Sequence, residues 1–202
     1  MLVAILTRET VHMAWALGFK GLIIPNGNVT VLSGMPFDNA RNAACQQALD
    51  GGFSNLMFLD DDTIPPHDVI PRLLAHNLPI VSGVYYRRSP PLGLAVMLKD
   101  VKGPDGKLQG RQHVQQYQIP ALIEVDLVGS GCLLLSREVL EKCPPQTRNC
   151  PKCKESFESE HRWFDWAVDR TDLPQQDRLS EDYTLCQHWR KLAYGKCLRE
   201  KC

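Results

Sequence analysis

No apolar run in this chain approaches the ~20 residues that a membrane-crossing helix requires. The opening, MLVAILTRET, meets Arg8 and Glu9 too early for a secretory leader, so the sequence-based expectation is a cytoplasmic protein. Charge of one sign is equally lacking. Lys plus Arg and Asp plus Glu are 23 each, which leaves no global field to draw in nucleic acid or an anionic membrane and permits only a local basic groove. Internal repeats and low-complexity segments are absent, which excludes a solenoid. No Gly-rich, Lys-bearing phosphate loop follows the first apolar segment, which argues against a nucleotidyltransferase. A single CxxC is present, without a thioredoxin-like strand and helix around it, so a redox role is unsupported.

What is there suits one α/β domain. The 202 residues, 44% of them hydrophobic, bury one substantial core. The eight cysteines read as thiols or metal ligands rather than as a disulfide framework, given the expected reducing compartment and the size of the domain. Leu2 to Leu6 reads as a buried strand and Val11 to Leu17 as a first helix. β-rich pieces at Ile23 to Pro25 and Val29 to Leu32 flank the Asn26-Gly27 turn. A helix begins at Asp38 as its cap, carries Ala40, Ala44 and Ala48 along one side, and stops at Gly51-Gly52. Pro65 and Pro66 open another through Val69, Leu73 and Leu74, and Ile80 to Tyr85 is a further strand. This β-α-β-α-β order predicts a mixed, mainly parallel sheet in the first half of a Rossmann-like domain.

The second half reads differently. Gly93 to Leu98 and Leu108 to Tyr117 flank Gly103-Pro104-Asp105-Gly106 as a hairpin. Leu122 to Val128 and Cys132 to Leu135 are strands separated by Gly129-Ser130-Gly131, and Ser136 caps a short helix. Cys143 to Asp177 is polar and irregular. Ser180 then caps a helix with Leu185, Trp189 and Leu192 on one face and Glu181 and Asp182 in its first turn.

The chemistry concentrates in MFLDDDT, Met57 to Thr63, where an apolar run delivers Asp60, Asp61 and Asp62 to a strand's end. Three successive carboxylates repel one another unless a cation offsets them, and hard divalent ions prefer oxygen ligands while keeping positions for substrate phosphates. An acidic solvated turn is the plainer alternative. An EF-hand loop is disfavoured, because counting from Asp60 puts Pro65 where the sharply turning Gly belongs.

The succession TRE, ARN, FLDDDTIPP, VDLVGSGCLLLSREVL and LSEDYTLCQHWRKL resembles GT-A fold glycosyltransferases, the family-2-like group and its compact virus-encoded members, up to about Ala193. The resemblance implies a single domain over 1–202: a nucleotide-sugar half over 1–90 and an acceptor half over 91–202. It implies a metal-dependent hexosyltransferase that uses a nucleotide-sugar, a UDP-sugar being favoured, with Mn²⁺ or Mg²⁺; a viral enzyme would work in the host cytoplasm. Thr7, Arg8, Arg41, Asp60 and Asp61 match donor-binding positions, and Asp60 and Asp62 the metal-binding ends of a DxD motif. Gly129, Ser130 and Gly131 match an acceptor loop, and Asp182, beside Glu181, matches the general base. The histidine that completes the metal shell in many relatives has no matching position; His188 is either a substitute or an exposed helical residue.

These roles suit the chemistry. A sugar's bond to a diphosphate breaks more readily when a metal stabilises the leaving charge and a base stands by the acceptor hydroxyl. At the positive end of a helix Asp182 stays ionised, favoured by roughly 0.3–1 kcal/mol. Glu181 and Asp182 equally suit ordinary acids that complement a helix dipole, and Arg8 and Arg41 equally suit the surface.

Tyr86, Arg87 and Trp163 are acceptor-side candidates, since aromatic faces stack on sugars or bases and arginine binds phosphate, while the tryptophans equally suit core filling. The resemblance implies as acceptor a carbohydrate or a hydroxymethylated base in DNA. Cys150 and Cys153, with Cys143 and His161, fit a structural zinc site in an insert over 143–161, against a loop with incidental thiols. Two other classes stay open: a haloacid-dehalogenase-like phosphatase with Asp60 as nucleophile, and a non-catalytic sugar-binding module.

Overall fold

The computed structural model describes residues 1–85, 97–114 and 122–142, together with Trp163, Phe164, Thr184, Leu185, Cys186 and Trp189. Three parallel strands start the fold: β1 (Leu2–Thr7), β2 (Asn28–Ser33) and β3 (Asn55–Asp60), with β1 in the middle. Strand β8 (Cys132–Ser136) runs antiparallel beside β3 and carries β4 (Ile80–Ser82) on its other edge, giving the order β2-β1-β3-β8-β4. The fold is thus mixed α/β with a mainly parallel sheet in the N-terminal half, compatible with a Rossmann-like domain.

The continuous apolar runs are explained by burial on both faces, as expected of parallel strands covered by helices. Side chains alternate across a strand. Leu2, Ala4 and Leu6, with Leu56, Phe58, Leu133 and Leu135, meet α2 (Phe37–Asp50) and α4 (Arg137–Lys142) on one face. Val3, Met57 and Leu134 meet α3 (Val69–Ala75) on the other, where Ile5 and Leu59 pack on Trp15 of α1 (Met13–Lys20). Each of these fully buried Leu or Phe side chains contributes roughly 1.5–3 kcal/mol relative to exposure.

A smaller antiparallel sheet, order β6-β5-β7, joins β5 (Met97–Lys102), β6 (Leu108–His113) and β7 (Leu127–Val128). Its turn is the expected one: Gly103 N–H donates to the Lys107 carbonyl, and Gly106 takes φ +75°. The Arg111 guanidinium bonds Asp100 across the pair at 3.2 Å.

Several boundaries differ from the sequence reading. Ile23 to Pro25 is not a strand; its turn is fixed instead by the Met1 amino group, which donates to the Asn26 carbonyl. Pro65 and Pro66 precede α3 rather than opening it, because a tight turn follows in which Val69 N–H donates to the Pro66 carbonyl. Helix α2 begins after Pro36, with Asp38 inside its first turn and no side-chain cap. Ser136 does not cap α4, since its buried Oγ has no hydrogen-bond partner. The strand expected over Leu122 to Val128 is confined to Leu127–Val128, although Asp126 extends the pairing through its N–H to the Leu98 carbonyl. Leu185 and Trp189 share a buried face as the spacing predicts.

Asn42 ties a distant piece of chain to α2. Its Oδ1 accepts the N–H groups of Trp163 and Phe164 at 2.8 and 3.0 Å, and its Nδ2 donates to the Phe164 carbonyl at 2.7 Å.

Candidate active site

Strands β1 and β3 are parallel neighbours, so their C-terminal ends lie side by side, with Leu6 in register with Asp60. Helix α1 leaves β1 toward one face and α2 enters β3 from the other. In an open α/β sheet this reversal leaves a crevice beyond the strand ends, the usual place for a ligand. A cavity of about 710 Å³ occupies it.

Asp60, Asp61 and Asp62 line this cavity together with Arg8 and Arg41. The buried Arg41 guanidinium (side chain 4% exposed) lies 3.4 Å from both carboxylate oxygens of Asp60, which is itself 27% exposed. That distance exceeds the usual range for a charge-assisted hydrogen bond. The contact is therefore an ion pair more than a short hydrogen bond. Phe37 gathers the two arginines: the guanidinium carbons of Arg8 and Arg41 lie 5.1 and 5.7 Å from its ring centre, and Arg41 also reaches the Phe164 ring at 5.9 Å. The Trp15 indole, 5% exposed, donates to the Asp60 carbonyl at 3.0 Å and so fixes the main chain that carries the first carboxylate.

Thr7 stands apart from these. It is not among the lining residues; its hydroxyl accepts the Glu9 N–H at 3.3 Å and shapes the turn after β1. Gly129, Ser130 and Gly131, expected to form a loop beside the acceptor, are buried. Gly131 N–H donates to the Tyr85 hydroxyl at 3.0 Å, and the Gly131 carbonyl accepts from Asp60 N–H at 3.1 Å. A Cβ on Gly129 or Gly131 would stand 2.5 or 2.8 Å from the Tyr85 phenol, which is why this loop is glycine at both positions. The loop braces the acidic strand end. Trp163 takes the core-filling alternative: it is 1% exposed in the main core, with its indole donating to the Leu140 carbonyl at 2.9 Å.

Tyr86, Arg87, Glu181 and Asp182 lie outside the described residues, as do Cys143, Cys150, Cys153, His161 and His188. Among the described residues no group of three His, Cys, Asp or Glu side chains converges to hold a metal. Three carboxylates line the cavity beside the imidazole of His12, and carboxylate oxygens fit Mg²⁺ or Mn²⁺ bound by one or two of them with phosphate oxygens and water completing the shell. Trp15, Phe37, Thr10 and His12 also line the cavity and were not legible as site residues. Their signal is positional only: each lies just beyond a strand that faces the crevice or in the helix that follows it.

A second cavity, of about 620 Å³, is lined by α3, β4 and 122–128 and adjoins the first, since Ile64 lines both. Cys132 lies on its wall. Burial, joined by the negative charge of Asp60, pushes its thiol up to about 11 despite a hydrogen bond from the Gly83 backbone. Cys45, Cys132 and Cys186 are all buried.

The raised Cys132 value sets a pH dependence. The unfolded thiol ionises near 9.0 and the folded one near 11, so the native state binds more protons in that window and stability falls as pH rises through it, by up to about 2–3 kcal/mol. Urea unfolding at pH 8.5 and 10.5 is expected to show a smaller alkaline loss for Cys132→Ala than for the wild type; identical losses would remove Cys132 as the cause.

No protein-family model matches the chain, and no curated protein matches it. Among solved structures it is similar to A197 from STIV, with a TM-score of 0.50, 21% identity, and coverage of 71% of this chain and 68% of that one. At that identity the likeness bears on the fold. In this chain no described helix is long and apolar enough to cross a membrane.

Proposed function

We propose that the chain is a GT-A-like glycosyltransferase that moves a sugar from a nucleotide-diphosphate donor, a UDP-sugar by preference, to an acceptor hydroxyl. One observation carries this reading: three aspartates and two arginines share a single cavity at the switch point of the sheet. A nucleoside diphosphate presents anionic oxygens that suit Arg8 and Arg41, while a metal on the same phosphates suits Asp60 and Asp62. Bound there, Mn²⁺ or Mg²⁺ would act as a Lewis acid on the leaving diphosphate. Arg41 orients Asp60, Trp15 holds the strand end in place, and Arg8 adds charge from the loop after β1. Asp182, next to Glu181, is assigned the acceptor proton; Asp182→Asn should spare donor binding and lower turnover. The acceptor side falls to Tyr86 and Arg87, for a carbohydrate or a hydroxymethylated base in DNA. Zinc on Cys143, Cys150, Cys153 and His161 remains part of the proposal.

Calorimetric titration with UDP- and GDP-sugars, with and without Mn²⁺, tests the reading. Metal-dependent binding of one donor is expected. Failure of every donor to bind, together with hydrolysis of small phosphoesters, would reassign Asp60 as a phosphatase nucleophile.

A further inference from the structure

We infer that His12 binds ligand in this cavity, its Nε2–H donating to a phosphate oxygen of the nucleoside diphosphate; this rests on the transferase reading above. The Ala14 N–H donates to His12 Nδ1 at 3.2 Å. A neutral imidazole has one donor and one acceptor nitrogen, so accepting at Nδ1 places the proton on Nε2. The tautomer and the ring's orientation are thus set by the start of α1, and the exposed ring lines the cavity that holds the three aspartates.

Capping alone does not account for this residue. Ser, Thr, Asp and Asn are the side chains that cap helices best, and histidine adds to the capping nitrogen a second one. The loop that delivers it is held in an unusual shape. Glu9 takes φ +117°, a left-handed value that a residue with a Cβ adopts only under constraint, while its N–H is tied to Thr7. Strain of this kind clusters at ligand clamps. No acidic residue stands in the first turn of α1. Arg8, from the same loop, lines the same cavity. Arg8 and His12 therefore bring positive charge and a hydrogen-bond donor to the cavity, and the acceptor they suit is an anionic oxygen of the kind a diphosphate carries.

The test uses the full chain and the variant His12→Asn, whose side-chain oxygen still accepts the Ala14 N–H but which lacks a donor at the reach of Nε2. Wild type and variant are titrated with UDP, GDP and inorganic pyrophosphate in the presence of Mn²⁺. The expected result is about tenfold weaker binding of all three probes to His12→Asn at an unchanged melting temperature. Equal affinity of the two proteins for every probe would overturn the role of His12 and leave the transferase reading standing. Weakening for the nucleotides but not for pyrophosphate would overturn the phosphate assignment. Loss confined to His12→Ala, accompanied by a lower melting temperature, would mark a capping role and overturn the inference. No binding of any probe by the wild type would overturn the transferase reading, and this inference with it.

Discussion

The Asn42→Ala variant is expected to lose roughly 2–4 kcal/mol of folding stability, a large share of what a domain of this size possesses. Asn42 makes three hydrogen bonds to main-chain groups of Trp163 and Phe164, and a buried main-chain group left unsatisfied costs about 1–3 kcal/mol. Asn42 is itself only half-buried, so water relieves part of the loss and the estimate stays at the lower end. The consequence reaches the site. Phe164 packs edge-on against Phe58 at 5.3 Å between ring centres and lies beneath Arg41. A loosened Phe164 therefore releases the guanidinium that faces Asp60. Asn42→Asp keeps both acceptor contacts and loses the donor, so its urea midpoint should fall between those of wild type and Asn42→Ala. A loss below about 0.5 kcal/mol for Asn42→Ala would mean that the latch does not hold in solution.

The second large effect is in binding. Asp62→Ala should abolish metal-dependent donor binding, with affinity down at least about a hundredfold, a loss of about 2.7 kcal/mol or more. Folding should be unaffected, because Asp62 is exposed and surface substitutions of this kind usually change stability by less than about 0.5 kcal/mol. Asp60→Ala is the less clean probe, since it also strips the carboxylate from the buried Arg41. Unchanged donor affinity in Asp62→Ala, with the metal effect intact, would count against the assignment of the acidic strand end.

The sequence discloses what is local. Strands β1, β3 and β8 are apolar runs buried on both sides, and runs of that kind are visible without coordinates. The hairpin turn is legible because Gly106 and its neighbours carry their own backbone preferences. The acidic triplet is legible because like charges so close need a chemical reason. Trp15, Phe37 and Asn42 are not legible, because each acquires its role from a partner far away in sequence. Trp15 meets the Asp60 carbonyl across 45 residues and Asn42 meets Trp163 across 121. Trp163 stays ambiguous for the same reason: an aromatic residue in a polar stretch suits a stacking surface or the core, and only the distant Leu140 carbonyl, which accepts a hydrogen bond from its indole, decides for the core.

The placement of β8 carries a consequence for biosynthesis. Strand β4 pairs with β8, and β8 with β3, so the sheet between them stays open until residue 136 has been made. A ribosome-bound chain that has emerged only through β4 holds β2, β1 and β3 with the Asn55–Asp60 edge unpaired and its apolar side chains uncovered on one flank. Such an edge invites strand addition from another chain. Translation past Leu135 is thus the event that closes the sheet, and a stalled or truncated product that stops short of it is the species most prone to aggregate.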